Sequence, residues 1–253
     1  MKAWKTSTIS TPTEPMEQIR FLPCGDCAVT VAFPQEVCEE TNRKLRFLAA
    51  KLRNEGIRGV SESVPAFCSI TVYFDPLVIS RKKLEKHIRR LLGAYKEGGR
   101  ASKRVFLIPV CYEGEYAPDM EDVCTLTGLT RQQVIALHSS TDYLIYMLGF
   151  LPGFPYLGGM DPRLEVPRLD SPRTAIPAGA VGIGGKQTGI YPLASPGGWR
   201  LIGRTPVKVY DPLRSVPIVY QAGDYIRFYP ITKGEFEEIS KGSGVIEMQE
   251  ETE

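Results

Sequence analysis

The sequence predicts an α+β protein of two domains, a small α/β sandwich followed by a barrel-like β domain. In the first hundred residues, two stretches with helical spacing of apolar residues lie beside stretches with strand character. A short polar stretch at 98–103 is typical of a linker. Beyond it, residues 149–206 hold 12 of the 24 Gly and 9 of the 20 Pro, interleaved with many apolar residues. That mixture indicates short strands joined by tight turns rather than a disordered segment.

The first domain is predicted to span residues 18–97, after a disordered tail at 1–17. Its predicted elements are three strands and two helices, each defined by its hydrophobic period. The strands fall in residues 19–33, which hold two of them, and in 66–74; the helices run from Glu36 to Asn54 and from about Arg81 to Tyr95. Strands that alternate with two such helices suggest an α/β sandwich.

The second domain is predicted to span residues 104–232. Its predicted elements are a strand at 104–112, short helices that begin near Asp119 and at Thr130, and two strands within 216–231. Thr130 and Gln133 have the spacing of a capping box, in which each side chain satisfies a backbone amide of the other residue. The acidic and polar residues 233–253 are predicted to be a frayed tail.

Composition excludes several classes of protein. The chain has 253 residues and a formal net charge of +2, from 31 Lys and Arg against 29 Asp and Glu. Nucleic-acid-binding proteins usually need a concentrated basic surface, which this balance does not suggest. No apolar run approaches the roughly 20 residues that cross a bilayer, and the six Cys fit thiols in a reducing compartment. The sequence therefore predicts a cytoplasmic protein that binds neither nucleic acid nor membranes.

The sequence does not match the standard motifs for metal or nucleotide binding. Residues 179–188 differ from a phosphate loop at Ala180 and Gln187; either their backbone amides cradle an anion or the glycines serve chain conformation alone. Cys24 and Cys27 form a Cys-x-x-Cys pair, but no second pair completes a zinc site. His138 ends a predicted helix, where a structural role and a role in proton transfer both remain open. No metal site is predicted.

A set of polar residues is embedded in the glycine- and proline-rich region, where rigid loops lose little entropy on binding. Its members are Arg168, Arg173, Lys186, Gln187, Thr188, Tyr191, Ser195 and Arg204. The guanidinium groups of Arg173 and Arg204 suit bidentate binding of a carboxylate or phosphate. The alternative is that they tie loops together through backbone carbonyls.

Three long motifs carry a resemblance to a known family. They are YLIYMLGFLPGFPYLGGMD at 143–161, PRTAIPAGAVGIGGKQTGIYP at 172–192 and SPGGWRLIGRTP at 195–206. With weaker matches on either side, the chain resembles the allophanate hydrolase subunit 1 family over roughly residues 18–231. The resemblance implies that the second domain is a cyclophilin-like β-barrel.

The resemblance also implies a function in a complex. Members of this family include subunits of ATP-dependent 5-oxoprolinase, which opens the lactam of 5-oxo-L-proline to give L-glutamate. The implied partners are a larger subunit of the allophanate hydrolase subunit 2 family and a lactam-utilisation-type subunit, with ATP and its Mg²⁺ acting at the level of the complex. This chain would then be inactive alone. Other members imply two alternatives, a regulatory protein that inhibits a sporulation-type histidine kinase and a subunit of the allophanate hydrolase or urea carboxylase type.

Within that resemblance, residues take candidate roles. His138, Arg173 and Arg204 are the candidate catalytic residues, with His138 transferring protons and the arginines holding anions. The candidate substrate- or anion-binding residues are Lys186, Gln187, Thr188, Tyr191 and Ser195. The candidate partner interface, an apolar surface that would meet a helix, consists of Phe150, Phe154 and Tyr156.

Overall fold

The computed structural model describes residues 19–34, 38–96, 102–242, 244 and 246–251. These residues form two compact units, which divide between Tyr95 and Lys96. The predicted tail at 1–17 and most of the predicted linker lie outside the described residues.

The N-terminal unit is a four-stranded antiparallel sheet covered by two helices. Its elements are β1 (Arg20–Pro23), β2 (Ala28–Ala32), α1 (Glu39–Glu55), β3 (Val60–Pro65), β4 (Ser69–Phe74) and α2 (Arg81–Gly93), with strand order β1-β2-β4-β3. Alternate residues such as Val29 and Val31 point to one face, where they pack with the apolar stripes of both helices. The predicted sandwich forms as expected, with β3 as an additional edge strand. That strand, VSESVP, is mostly exposed and polar, which is why its hydrophobic pattern is weak.

The C-terminal unit is built on a closed barrel of seven strands. The strands of the whole C-terminal unit, including those outside the barrel, are β5 (Lys103–Cys111), β6 (Asp142–Leu148), β7 (Pro155–Gly158), β8 (Arg173–Ile176), β9 (Ala180–Gly184), β10 (Gln187–Ile190), β11 (Ser195–Gly197), β12 (Arg200–Arg204), β13 (Tyr225–Ile231) and β14 (Glu247–Glu251). The barrel order is β12-β9-β10-β7-β6-β13-β5, and pairing of Arg204 with Cys111 closes it. The predicted α+β fold with a C-terminal barrel is confirmed.

Three helices and a small ribbon surround the barrel. The helices are α3 (Met120–Thr127), α4 (Arg131–Ser139) and α5 (Lys233–Lys241). The predicted capping box at Thr130 is present and starts α4. Strands β8 and β11 form a separate two-stranded ribbon. This ribbon lies against the loops that carry the candidate site described below.

Two expectations for the C-terminal part are wrong. The predicted frayed tail at 233–253 instead contains α5, started by a capping box of Thr232 and Glu235, and β14, which pairs with β5. Helix α5 buries Phe236 against a small apolar cluster with Cys111 and Ile231, so a mostly polar segment still gains a packed anchor. The first of the two strands predicted within 216–231 forms only an isolated bridge from Ile218 to Tyr210.

Within the described part of the chain, none of the helices has both the length and the apolar character that a bilayer crossing requires.

Candidate functional site

Aromatic side chains of the C-terminal unit line an open hollow of about 310 Å³. We call it the aromatic hollow; its lining residues are Phe150, Phe154, Tyr156, Arg168, Pro172, Tyr191, Pro196, Gly197, Gly198 and Trp199. Ligand sites are usually concave, apolar and furnished with a few convergent polar groups. All ten residues come from the glycine- and proline-rich region that the sequence marks as rigid.

Phe154 is the centre of the ring cluster. Its ring centroid lies 5.2 Å from that of Tyr191 and 5.5 Å from that of Trp199, at interplanar angles of 85° and 78°. Tyr156 and Phe150 lie at 5.0 Å and 5.7 Å from the same ring. Edge-to-face pairs of this kind each contribute about 0.5–1.5 kcal/mol beyond the area that they bury. The three predicted interface aromatics therefore belong to one packed wall, shared with Tyr191 and Trp199.

The glycines of β9 and β10 make room for Trp199. A Cβ atom added at Gly184 would lie 2.5 Å from the Trp199 ring, and one at Gly189 would lie 3.0 Å from it. Gly184 pairs with Gln187 within an antiparallel hairpin, so this stretch is a strand pair and not an anion-binding loop. Of the two interpretations left open by the sequence, the structure favours the conformational one.

Phe150 has an unusual backbone conformation at the rim of the aromatic hollow. It is the one described residue other than glycine with a positive φ, at 64°, and its side chain is 62% exposed. For a bulky residue this conformation costs roughly 1–2 kcal/mol, and such strain clusters at functional sites. The fold thus holds an apolar ring out in solvent at an energetic cost.

Arg168 brings positive charge to the lining of the aromatic hollow, and Arg173 lies beside the hollow in an ion pair with a buried carboxylate. The Arg168 guanidinium lies 5.8 Å from the centre of the Trp199 ring, within cation–π range. Arg173 donates from Nη2 to Oδ1 of buried Asp119 at 2.5 Å, while Asp119 Oδ2 accepts from the Leu201 amide at 2.6 Å. Burial raises the pKa of Tyr191, and a hydrogen bond with the Trp199 backbone and the charges of Arg168 and Arg173 oppose that rise.

Two buried polar atoms beside the aromatic hollow have no partner among the described residues. They are Nη1 of Arg173 and Oγ of Ser195. Both residues belong to the β8–β11 ribbon, in which Arg173 pairs with Gly197 and Ser195 with Ile176. Buried polar groups are nearly always hydrogen-bonded, so these two atoms are exceptions within the described residues, and both have almost no exposed surface.

His138 and Thr188 lie in the barrel interior and not in the aromatic hollow. Tyr112 donates from its hydroxyl to His138 Nδ1, and His138 Nε2 donates to Thr188 Oγ1, each at 2.8 Å; Thr188 in turn donates to the carbonyl oxygen of Gly182 at 3.0 Å. This chain of hydrogen bonds fixes the neutral tautomer with its proton on Nε2. His138 is fully buried and stacks on Phe228, and burial lowers its pKa to about 3.

That geometry corrects the catalytic assignment of His138. A ring whose two nitrogens are both satisfied inside a core does not reach substrate, so the structural role left open by the sequence is the one observed. Thr188 has no exposed surface for a ligand either.

The remaining predicted site residues lie elsewhere. Lys186 is exposed at the two-residue turn between β9 and β10, and Gln187 follows it at the start of β10. Arg204 ends β12, at the opposite end from Trp199 and thus about 13 Å along the strand from Arg200. Arg173 is bound to Asp119 and Arg204 to the carbonyl oxygen of Ala178, so the two guanidinium groups have separate partners and do not form one anion clamp.

Arg168 lines the aromatic hollow, but the sequence alone assigns it no catalytic or binding role. The sequence groups it with the polar residues of the rigid loops, but its partner Trp199 lies 31 positions later and no local spacing links them. Among the described residues, no group of three or more His, Cys, Asp or Glu is placed to hold a metal ion.

The C-terminal unit thus combines a closed barrel with an aromatic hollow whose lining includes Arg168, and comparison with known proteins places the chain in a family. A family model described as "Carboxyltransferase domain, subdomain C and D" matches residues 19–220. The chain belongs to this family, which is the family that the sequence motifs resemble.

Similar proteins share both sequence and fold. A 5-oxoprolinase subunit of Bacillus subtilis is 39% identical over 222 residues, which cover 84% of this chain and 92% of that protein. A 5-oxoprolinase subunit of Escherichia coli O157:H7 is likewise 39% identical, with 87% of this chain and 99% of that protein covered. A solved structure of a longer protein is 40% identical at a TM-score of 0.71, and this chain spans 39% of it. The urea carboxylase of Kluyveromyces lactis, at 21% identity, shares the fold with a TM-score of 0.77 over 99% of this chain and 26% of that protein.

Proposed function

We propose that the chain is a subunit of an ATP-dependent 5-oxoprolinase that hydrolyses 5-oxo-L-proline to L-glutamate together with a larger partner subunit. The similarity to two bacterial 5-oxoprolinase subunits along most of their length supports this assignment. The observation that carries it is the aromatic hollow, which combines flat apolar walls with the guanidinium group of Arg168. It suits a small planar ring that bears a carboxylate.

In this proposal the lactam ring packs against Trp199 and Phe154, and its carboxylate is bound by Arg168. Arg173 is held by Asp119 beside the hollow, and its unpaired Nη1, which is buried in the free chain, would donate to an oxygen of the reacting group once substrate or the partner subunit displaces the residues that cover it. Donors fixed in advance in a poorly solvated site stabilise developing negative charge more than water does. Tyr191 keeps its proton at neutral pH as any phenol of pKa about 10 does, and burial raises that pKa further, so its hydroxyl acts as a donor.

The aromatic hollow lacks a general base. Its lining residues include no carboxylate and no imidazole, and His138 is sequestered in the core. An unstrained lactam needs both activation of its carbonyl and a base that prepares water. We therefore assign the base to the larger subunit, which would make this chain inactive alone.

ATP bound by the complex would supply the phosphoryl group that activates the carbonyl oxygen; ADP would leave in that transfer, and phosphate would be released when water opens the ring. Mg²⁺ requires oxygen ligands, mostly carboxylates and phosphates, and the described residues offer no suitable acidic cluster. Magnesium would accordingly be bound through ATP and the partner subunits, in the cytoplasm where these proteins assemble.

The proposal is tested by reconstitution. Mixing this chain with the larger subunit and the lactam-utilisation-type subunit should give ATP-dependent release of glutamate from 5-oxoproline, measured by an enzymatic glutamate assay. Each mixture that lacks one component, including this chain alone, should release none. A full rate without this chain would refute the assignment.

A second candidate function is supported by Phe150. Its exposed, strained position at the rim is suited to contact with a protein, as the alternative of histidine kinase inhibition requires. The same surface would serve docking on the larger subunit, and pull-down of the purified chain with each partner separates the two cases. The alternative of an allophanate hydrolase or urea carboxylase subunit has weaker support, since the similar urea amidolyase of Saccharomyces cerevisiae is 24% identical.

A further inference from the structure

A second hollow, of about 380 Å³, lies at the other end of β12. We call it the Arg204 hollow; its lining residues are Glu115, Tyr116, Ala178, Gly179, Pro192, Arg204, Thr205, Pro206, Val207, Lys208, Val209, Phe236 and Ser240. It shares no residue with the aromatic hollow. Because Arg204 and Trp199 sit near opposite ends of one strand, the two hollows are separate features of the C-terminal unit.

Positive charge dominates the Arg204 hollow. Arg204 donates from Nε to the carbonyl oxygen of Ala178 at 2.9 Å, which orients its guanidinium without neutralising it. Within the described residues neither Arg204 nor the exposed Lys208 forms an ion pair. The one carboxylate of the lining, Glu115, is paired with Lys233 at 2.8 Å. The hydrogen bond from Lys233 lowers the pKa of the Glu115 carboxylate, and the charge of Arg204 lowers it too. With Arg204, Lys208 and the neighbouring Lys233 against this one carboxylate, the hollow keeps an excess of positive charge for a ligand.

One wall of the Arg204 hollow is aromatic. The rings of Tyr116 and Phe236 lie 4.1 Å apart at an angle of 32°, and the Lys233 ammonium lies 5.9 Å from the Tyr116 ring. Phe236 is buried by the packing of α5 against the barrel, so this wall is fixed. A ligand with an anionic end and a flat apolar end would contact both parts.

We propose that the Arg204 hollow binds phosphate groups, as carried by a nucleotide. A guanidinium held by a backbone carbonyl keeps its terminal amino groups for bidentate contact with phosphate oxygens, and the nearby ammonium of Lys208 adds a second charge. Phe236 is buried behind Tyr116, so the part-exposed ring of Tyr116 is the surface on which a base can pack, and it favours a nucleoside phosphate over inorganic phosphate. The identification of the nucleotide as ATP or ADP rests on the proposed function; the phosphate site itself does not.

The test uses the full chain without partner subunits. Titration calorimetry at low salt should detect saturable binding of ADP, and inorganic phosphate should bind the same site at least tenfold more weakly. Arg204→Gln and Lys208→Gln should each weaken ADP binding at least tenfold. Arg58→Gln, which removes an exposed arginine from a turn of the N-terminal unit, is the matched control and should bind as the parent does.

Three outcomes would overturn the proposal: no saturable binding of ADP or phosphate, equal binding by Arg204→Gln and the parent, or an equal loss in Arg58→Gln, which would indicate unspecific charge attraction. Equal affinities for ADP and inorganic phosphate would retain the phosphate site and refute the nucleotide. Because binding is measured without partners, failure here would leave the reconstituted glutamate release intact. Failure of reconstitution would likewise leave the binding result standing.

Discussion

Replacement of His138 by Ala is expected to lower the free energy of unfolding by about 3–5 kcal/mol, as removal of a large buried ring does. Two effects combine. The ring leaves a cavity against Phe228. The buried hydroxyl of Tyr112 loses its partner, which costs about 1–3 kcal/mol, while Thr188 loses one bond and keeps the one to the Gly182 carbonyl. Urea denaturation followed by circular dichroism measures the change.

The exposed histidine is the control for this prediction. His87 lies on the surface of α2 beside Glu55, so His87→Ala should change stability by less than about 0.5 kcal/mol. If both variants had the same small effect, the buried hydrogen-bond chain would not stabilise the barrel.

The burial of His138 also predicts that the free energy of unfolding depends on pH. Burial lowers the pKa of His138 to about 3, whereas the unfolded chain titrates near 6.5. The folded state then binds fewer protons, so stability is complete above about pH 6.5 and falls as the pH drops below it. Between pH 7.5 and 5.5 we expect a loss of about 1.4 kcal/mol, and NMR should show a neutral His138 ring throughout. A protonated ring at pH 5.5 would contradict the burial of His138.

Substitution of Gly184 by Ala is expected to destabilise the barrel by about 1–3 kcal/mol through overpacking. The new Cβ atom would lie 2.5–2.8 Å from three atoms of the Trp199 indole. The ring cannot retreat freely because Phe154 packs against it, and Gly184 is fixed in the β9–β10 ladder. Thermal unfolding and the Trp fluorescence spectrum report stability and ring position together.

Gly234→Ala is the matched control for Gly184→Ala. Its Cβ atom would meet nothing within 4 Å in the first turn of α5, where Ala is favoured over Gly by up to about 1 kcal/mol. The control should therefore be neutral or stabilising. Destabilisation by Gly234→Ala equal to that by Gly184→Ala would show that contact with Trp199 is not the cause.

Much of the fold is predictable because hydrophobic period and capping are local signals. The capping box at Thr130 and the helices α1 and α2 follow from residues three or four positions apart. The prediction for the C-terminal segment is wrong for the same reason. Its polar composition is local, whereas the packing of Phe236 and the pairing of β14 with β5 depend on contacts made only in the folded unit.

The candidate site is predictable in its location and less so in its composition. Glycines and prolines between aromatic residues mark the rigid loops, and Phe154, Tyr191 and Arg173 lie there. The burial of His138 depends on Tyr112, Phe228 and Thr188, which are far apart in sequence and meet only across the barrel. The separation of Arg173 from Arg204 likewise depends on strand direction, which loop composition does not encode.

The central claim is that the aromatic hollow supplies part of a site completed by another subunit, and Arg168→Gln in the reconstituted complex tests it most directly. Arg168 lies at the rim and outside the core, so the variant should fold and assemble normally. We expect the KM for 5-oxoproline to rise at least tenfold, because the carboxylate loses its charged partner. The matched control Arg163→Gln, an exposed arginine paired with Asp161 outside the aromatic hollow, should keep the parent KM. An unchanged KM in Arg168→Gln within an intact, active complex would contradict the account.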